Sequence, residues 1–182
     1  RDVGLTLAEM ENFLLRYGRA HATDPALVYH VATRNIPSIR RSLADWLRTY
    51  SASRILVFDR EGRLIVAQKN MGDGTSKAQP NLESGDIYLS EDLLKEVEAR
   101  GQTTVREVKQ GRGLSLVVYT RIVQKGGKTA GYLEESRDLG PEFLHSIKSK
   151  LNLEAVIFND NKTAAASSND DFLLFPKDYF PS

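Results

Sequence analysis

The stretch Arg54-Ile55-Leu56-Val57-Phe58-Asp59-Arg60-Glu61-Gly62-Arg63-Leu64-Ile65-Val66-Ala67-Gln68 decides how the rest of the chain is read. Two apolar runs, Ile55 to Phe58 and Leu64 to Ala67, flank a short polar loop that ends in Gly62. Glycine takes the left-handed conformation that closes such a loop without steric penalty, so the stretch predicts a β-hairpin. Both runs are continuous rather than alternating, which predicts strands covered on both faces. One cover is the helical pattern before the hairpin; the other must come from later in the chain.

Upstream, Val3, Leu7, Met10, Leu14, Tyr17 and His21 recur at alternating spacings of four and three, with Phe13 widening the seam. Two readings fit this stripe: a core-facing helix, or the continuation of a coiled-coil seam from an upstream membrane helix. Asp24-Pro25 predicts an N-cap followed by proline at the first helical position, with the helix running to about Thr33. Asn35-Ile36-Pro37 gives a second such start, and Ile36, Ile39, Leu43, Trp46, Leu47 and Tyr50 then form an amphipathic helix. Arg40, Arg41 and Arg48 lie around its polar side, where a solvated face is the simpler reading and an anion grip the sharper one.

Downstream, Asn70 to Leu89 carries Gly72, Gly74, Pro80 and Gly85 without periodicity and is expected to be a long loop, a candidate lid. Gly72-Asp73-Gly74-Thr75-Ser76-Lys77 lacks the spacing and following helix of a phosphate-binding loop, so that match is rejected. Ser90 caps a helix over Glu91 to Arg100, with Glu91 and Asp92 in its first turn as the helix dipole prefers. Strands are predicted over Thr103 to Lys109, Leu114 to Val123 and Thr129 to Glu135, joined by glycine-bearing turns into an antiparallel meander. Gly140-Pro141 begins a helix over Glu142 to Leu151, and a second hairpin follows around Asn159-Asp160-Asn161. That hairpin either caps the first sheet or begins a second module. The expected divisions are a helical segment (1–53), the sheet (54–139) and a C-terminal helix and hairpin (140–182).

Composition narrows the function. Lys plus Arg is 25 and Asp plus Glu is 24 among 182 residues, so the net charge of +1 disfavours a nucleic-acid partner. No apolar run reaches the roughly 18 residues of a membrane span. Cysteine is absent, which excludes disulfides and the common structural zinc sites. The chain opens on Arg1-Asp2 and closes on Phe180-Pro181-Ser182, and is expected to be a piece of a longer protein whose targeting and membrane segments lie outside it.

The order of helices, hairpin, helix and three-strand meander is that of a PAS-like sheet behind a long N-terminal helix. Ile55-Leu56-Val57-Phe58-Asp59-Arg60-Glu61-Gly62-Arg63-Leu64-Ile65 resembles the first hairpin of Cache domains, the PAS-like extracytoplasmic sensors of bacterial receptors. Tyr119-Thr120-Arg121-Ile122, a Gly-Gly turn and Ala130-Gly131-Tyr132-Leu133 resemble that family's last two strands, and Leu139 to Ser167 resembles the segment that follows. The resemblance implies an α+β fold: a PAS-like antiparallel sheet with the N-terminal helical segment packed on it and an additional C-terminal helix-hairpin. It further implies a periplasmic, non-catalytic module of an inner-membrane receptor, most often a histidine kinase, otherwise a chemoreceptor or a cyclic-dinucleotide enzyme. Such modules bind a small molecule beside the sheet and pass a shift along the terminal helices. The family's amino-acid-binding version carries an Arg-x-Trp-Tyr run after the small helix, which this chain lacks; Trp46 lies on the preceding helical segment.

Candidate binding residues follow from strand alternation. Val117, Tyr119, Arg121 and Val123 share one face of their strand, and an arginine among valines needs an anionic partner, from the protein or from a ligand. Tyr132 on the next strand and Tyr88 at the loop's end add aromatic walls, and Arg106 is a further candidate. The simpler alternative pairs Arg121 with Glu134 or leaves it in solvent. The expected partner is therefore a small molecule, anionic if Arg121 meets it, with a homodimer through the N-terminal helix as a second interaction. No cofactor, metal or catalytic group is expected: His21, His30 and His145 lack ligand spacing, and Glu134-Glu135 point to opposite faces. The rival readings are a ligand-free PAS-type dimerisation domain and a small hydrolase with unplaced carboxylates.

Overall fold

The computed structural model describes residues 3–50, 52–83, 86–109, 113–140, 143, 145, 156–159 and 162–166, with backbone alone at 3–7, 106–109, 113, 156–159 and 162–166. It forms two compact units, residues 8–105 with 117–137, and residues 1–7, 106–116 and 138–182. Strands β1 (Arg54–Asp59) and β2 (Leu64–Asn70) form the expected hairpin, antiparallel with a bulge at Val57/Phe58. Gly62 sits at φ +78°, and its amide donates to the Asp59 carbonyl at 3.0 Å. Asp59 Oδ1 accepts from the amides of Glu61 (3.1 Å) and Arg63 (2.9 Å), so one carboxylate shapes the whole loop.

Six strands make one sheet in the order β3-β2-β1-β6-β5-β4, with β3 at Ser76–Ala78, β4 at Gln102–Lys109, β5 at Gly113–Val123 and β6 at Thr129–Leu139. The hairpin strand β1 is central, antiparallel to both β2 and β6. β4 to β6 are the meander, and β6 continues to Leu139, past its expected end at Glu135.

One face of the sheet carries an apolar cluster that includes Leu56, Phe58, Leu64, Val117, Tyr119 and Tyr132. Helix α5 (Glu91–Arg100) covers it with Leu93, Leu94 and Val97, held at its ends by the Ser90 cap and by Gly101 at φ +76°. Ile55, Val57 and Leu133 alternate with these residues and face α1 (Val3–Ala22), α2 (Pro25–Ala32) and α3 (Ile36–Thr49). The caps are those expected: Asp24 Oδ1 accepts from Ala26 and Leu27 amides at 2.7 and 3.1 Å, and Asn35 Oδ1 from Ser38 at 3.3 Å. Ile39, Leu43 and Leu47 of α3 are at most 2% exposed. Each such side chain stabilises the packing by about 1.5–3 kcal/mol. No helix among the described residues is long and apolar enough to cross a membrane.

The long loop expected over Asn70 to Leu89 is not structureless. Within it, β3 pairs with the free edge of β2 (Asn70↔Ser76, Gln68↔Ala78), and a short helix α4 (Pro80–Glu83) follows. Three residues are too few to show a period, so the ladder of β2 supplies what the sequence does not display. Glu83 then accepts from the Ala67 amide at 2.8 Å and pairs with Arg40, one of the arginines read as solvated. Arg48 pairs with Asp45 on the exposed side of α3.

In the other unit, Ser115 Oγ donates to Asp138 Oδ1 at 2.7 Å. The second expected hairpin forms as β7 (Val156–Asn159) and β8 (Lys162–Ala166), a two-stranded sheet of its own. The helix expected over Glu142 to Leu151 lies outside the described residues except at Phe143 and His145.

Candidate functional site

The face chosen from strand alternation contains a polar knot. Tyr119 belongs to the apolar cluster and is 4% exposed, while Arg121, two residues on, reaches the edge of α5. Arg121 Nη1 donates to Glu98 Oε2 at 2.8 Å, and Glu98 Oε1 accepts from the Tyr132 hydroxyl at 2.6 Å and from Thr129 Oγ1 at 2.8 Å. Burial alone would raise the Glu98 carboxyl, but the bonds from Tyr132, Arg121 and Thr129 outweigh it and hold the group below its ordinary range. Burial, reinforced by Glu98, pushes the Tyr132 hydroxyl up, so Tyr132 keeps its proton and donates. The internal partner of Arg121 is thus Glu98 and not Glu134, which pairs instead with Arg54 at 2.5 Å. Glu98 follows Leu94 and Val97 on the stripe of α5 that meets the sheet. A carboxylate in an apolar stripe is the signal that would have found it.

Beside this knot, at the end of the sheet, opens a cleft of about 590 Å³. The α2–α3 link, the β1–β2 loop and the β5–β6 turn line it, with Tyr88 on one wall, 55% exposed. Tyr88 is held there by a backbone bridge to Arg63. Four cationic side chains, Arg34, Arg60, Arg63 and Lys128, meet two carboxylates, Asp59 and Glu61, in the lining. Arg34 pairs with Asp59, Arg60 with Glu61 at 2.6 Å, and Arg63 with Asp86 at 3.1 Å. Thr129 belongs both to the cleft wall and to the Glu98 knot. Of the residues expected at a site, Tyr88 therefore lines the cleft, Arg121 and Tyr132 stand behind it through Glu98, and Tyr119 lies in the core. The Arg106 side chain lies outside the described residues. Arg34 and Lys128 gave no sequence signal, because each stands in a link whose course depends on tertiary packing.

On the opposite face, α1 is fastened to the sheet by buried polar contacts. His21 Nδ1 meets Glu135 Oε1 at 2.5 Å, and its ring stacks on Trp46 at 3.8 Å with planes 8° apart. Glu135 is fully buried, and that burial raises its carboxyl against the opposing pull of His21. Tyr50 approaches the second Glu135 oxygen at 3.5 Å, a weak contact, and burial followed by Glu135 pushes its hydroxyl up. Gln102 Nε2 donates to the Leu15 carbonyl at 2.9 Å and to Thr120 Oγ1 at 2.8 Å. Gly18 allows this close approach, since a Cβ there would lie 2.7 Å from Thr120 Oγ1. Glu134 and Glu135 do point to opposite faces, each with its own basic partner.

No family model matches the chain, and no curated protein matches it in sequence. Solved structures match its fold. The extracellular domain of a histidine kinase aligns with a TM-score of 0.63 at 16% identity, over 79% of this chain and 55% of that one. A domain of a sensory box/GGDEF family protein from Vibrio parahaemolyticus gives 0.60 at 15%, over 79% and 58%. The ligand-binding domain of the Campylobacter jejuni chemoreceptor Tlp3, in complex with 4-methylisoleucine, gives 0.61 at 16%, over 96% and 67%. The chain thus spans little more than half the length of the first two structures. It shares their α+β fold, the PAS-like fold that its resemblance to Cache domains implied.

Proposed function

We propose that this chain is an extracytoplasmic ligand-sensing domain of a bacterial signal-transduction receptor, most simply a histidine kinase. The observation that supports the reading is the fold it shares with domains of a histidine kinase, a chemoreceptor and a sensory box/GGDEF family protein. The domain itself does no chemistry in this reading; it binds a small molecule in the cleft bearing Tyr88. Strand β6 supplies the route outward. Its first residues, Thr129 and Ala130, line the cleft, Tyr132 joins the Glu98 knot, and Glu135 holds His21 of α1. A ligand that favours one placement of β6 therefore favours one placement of α1, and it shifts the equilibrium only by its differential affinity for the two.

The test starts with a thermal-shift screen of carboxylates, amino acids and sugars. It continues with spin labels at Ala20→Cys on α1 and Lys125→Cys in the β5–β6 turn, both exposed positions in a chain without native cysteine. A compound that raises the melting temperature is expected to change the inter-label distance. Failure of every compound to raise the melting temperature, with no distance change, sinks the sensing role. Flanking hydrophobic spans in the full-length protein are also expected, and their absence favours a ligand-free dimerisation domain.

A further inference from the structure

We propose that the cleft at the end of the sheet is an anion site, built to hold a small oxyanion such as a carboxylate or a phosphate. This rests on the sensing reading above and names the ligand class. The lining carries four cations against two carboxylates, and Asp86 beside it pairs with Arg63, so the cleft keeps a net positive charge that an anion offsets. Both carboxylates are already engaged, Asp59 by the loop amides and Arg34, and Glu61 by Arg60. The side chain of Lys128 pairs with no carboxylate among the described residues. Both members of the Arg60–Glu61 and Arg63–Asp86 pairs are about half or more exposed, and pairs that open to water are weak enough for a ligand to displace; Arg34 is 61% exposed and has free donors beside its buried partner Asp59. Guanidinium groups bind carboxylate or phosphate oxygens two at a time, so the same forks serve an oxyanion better than a chloride. The cleft's volume of about 590 Å³ suits a small organic molecule.

Arg34 adds a separate observation. It is the one non-glycine residue with positive φ, at +52°, among the described residues. It occupies the position after the α2 cap: its amide donates to Val31 at 3.1 Å, and that of Asn35 to His30 at 2.8 Å. This is the six-to-one bond pattern in which glycine is the favoured residue, so the backbone alone does not account for an arginine there. What the arginine adds is a guanidinium at the mouth of the cleft, paired with Asp59. Strain of this kind gathers where a side chain has a task.

The test is calorimetric titration of the chain with inorganic phosphate, succinate and glucose at low and at physiological salt. Phosphate or succinate is expected to bind, glucose not, and affinity is expected to fall as salt rises. Arg34→Gly suits the backbone but removes the cation beside Asp59, two effects of opposite sign, so its melting temperature without ligand is expected to stay close to the parent's while anion affinity drops at least tenfold. Lys128→Gln is expected to weaken binding similarly with an unchanged melting temperature. Phosphate binding without succinate binding identifies a phosphoryl ligand, and the reverse a dicarboxylate. Anion binding indifferent to both substitutions overturns the site. Binding of neutral compounds alone overturns the anion class while leaving the sensing role standing. Silence from every compound, together with an immobile α1, overturns both.

Discussion

Consider His21→Leu, a substitution in the contact that fastens α1 to the sheet. It fills much of the imidazole's space but removes the 2.5 Å partner of Glu135, whose side chain is 1% exposed. Tyr50, at 3.5 Å, is too distant to replace it, and stays neutral because its own hydroxyl is pushed up. The stranded carboxyl must then either ionise in the core or remain protonated. Staying protonated costs at most about 1.4 kcal/mol for each pH unit above the ordinary value of 4.5, a ceiling of about 5 kcal/mol near pH 8 and under about 1 near pH 5, of which the parent already bears a part because burial raises Glu135 there too. The larger figure agrees with the roughly 3–5 kcal/mol lost when one member of a buried pair is removed. The sign is fixed by a carboxyl pKa raised on folding: the native state holds the proton more tightly than the unfolded chain does. Stability is therefore kept below the ordinary carboxylate range and lost as pH rises through the raised value. Urea unfolding near pH 5 and near pH 8, followed by circular dichroism, measures the difference as a shift in midpoint at constant slope. Adding Glu135→Met removes the stranded group and is expected to restore most of the loss near pH 8. A loss below about 1 kcal/mol near pH 8, or an equal loss at both pH values, refutes the reasoning.

Three further outcomes follow from contacts elsewhere. Gly131→Ala places a Cβ 2.2 Å from the Phe58 carbonyl oxygen in the central β1–β6 pairing, where backbone cannot yield. A loss of about 3 kcal/mol or more in urea unfolding is expected, and an unmoved midpoint contradicts the close approach. Gly18→Ala gains about 1 kcal/mol of helix propensity but brings a Cβ within 2.7 Å of Thr120 Oγ1, for a net loss of about 1 kcal/mol. Thr120→Ala in the same chain should recover part of it; a more stable Gly18→Ala variant is the contrary result. Tyr132→Phe deletes a donor to Glu98, whose depressed carboxyl stabilises the fold above the ordinary carboxylate range and loses that contribution as pH falls. The acid-unfolding midpoint is therefore expected to move to higher pH in the variant, and a midpoint that stays put removes Tyr132 from the knot's electrostatics.

Local chemistry made much of the fold legible. Gly62 and Asp59 close the hairpin, while Asp24, Asn35 and Ser90 cap three helices where the residue types required. These signals act within a few residues, so the chain carries them in the open. The short strand β3 was hidden because its hydrogen bonds belong to the edge of β2 rather than to any pattern of its own. Alternation placed Tyr119 and Arg121 on one face, and the burial of an arginine there called for an anion. Which anion it meets is a tertiary matter: Glu98 arrives from another element, 23 residues away, and Glu134 is taken by Arg54. The same holds for the cleft, whose cations come from three separate links, and for His21, which joins Glu135 across 114 residues of chain. Sequence by itself determined the longer strands, the caps and the faces, because those depend on near neighbours. Only the packing of α1 and α5 onto the sheet decided which charges are paired inside the protein and which are left facing solvent.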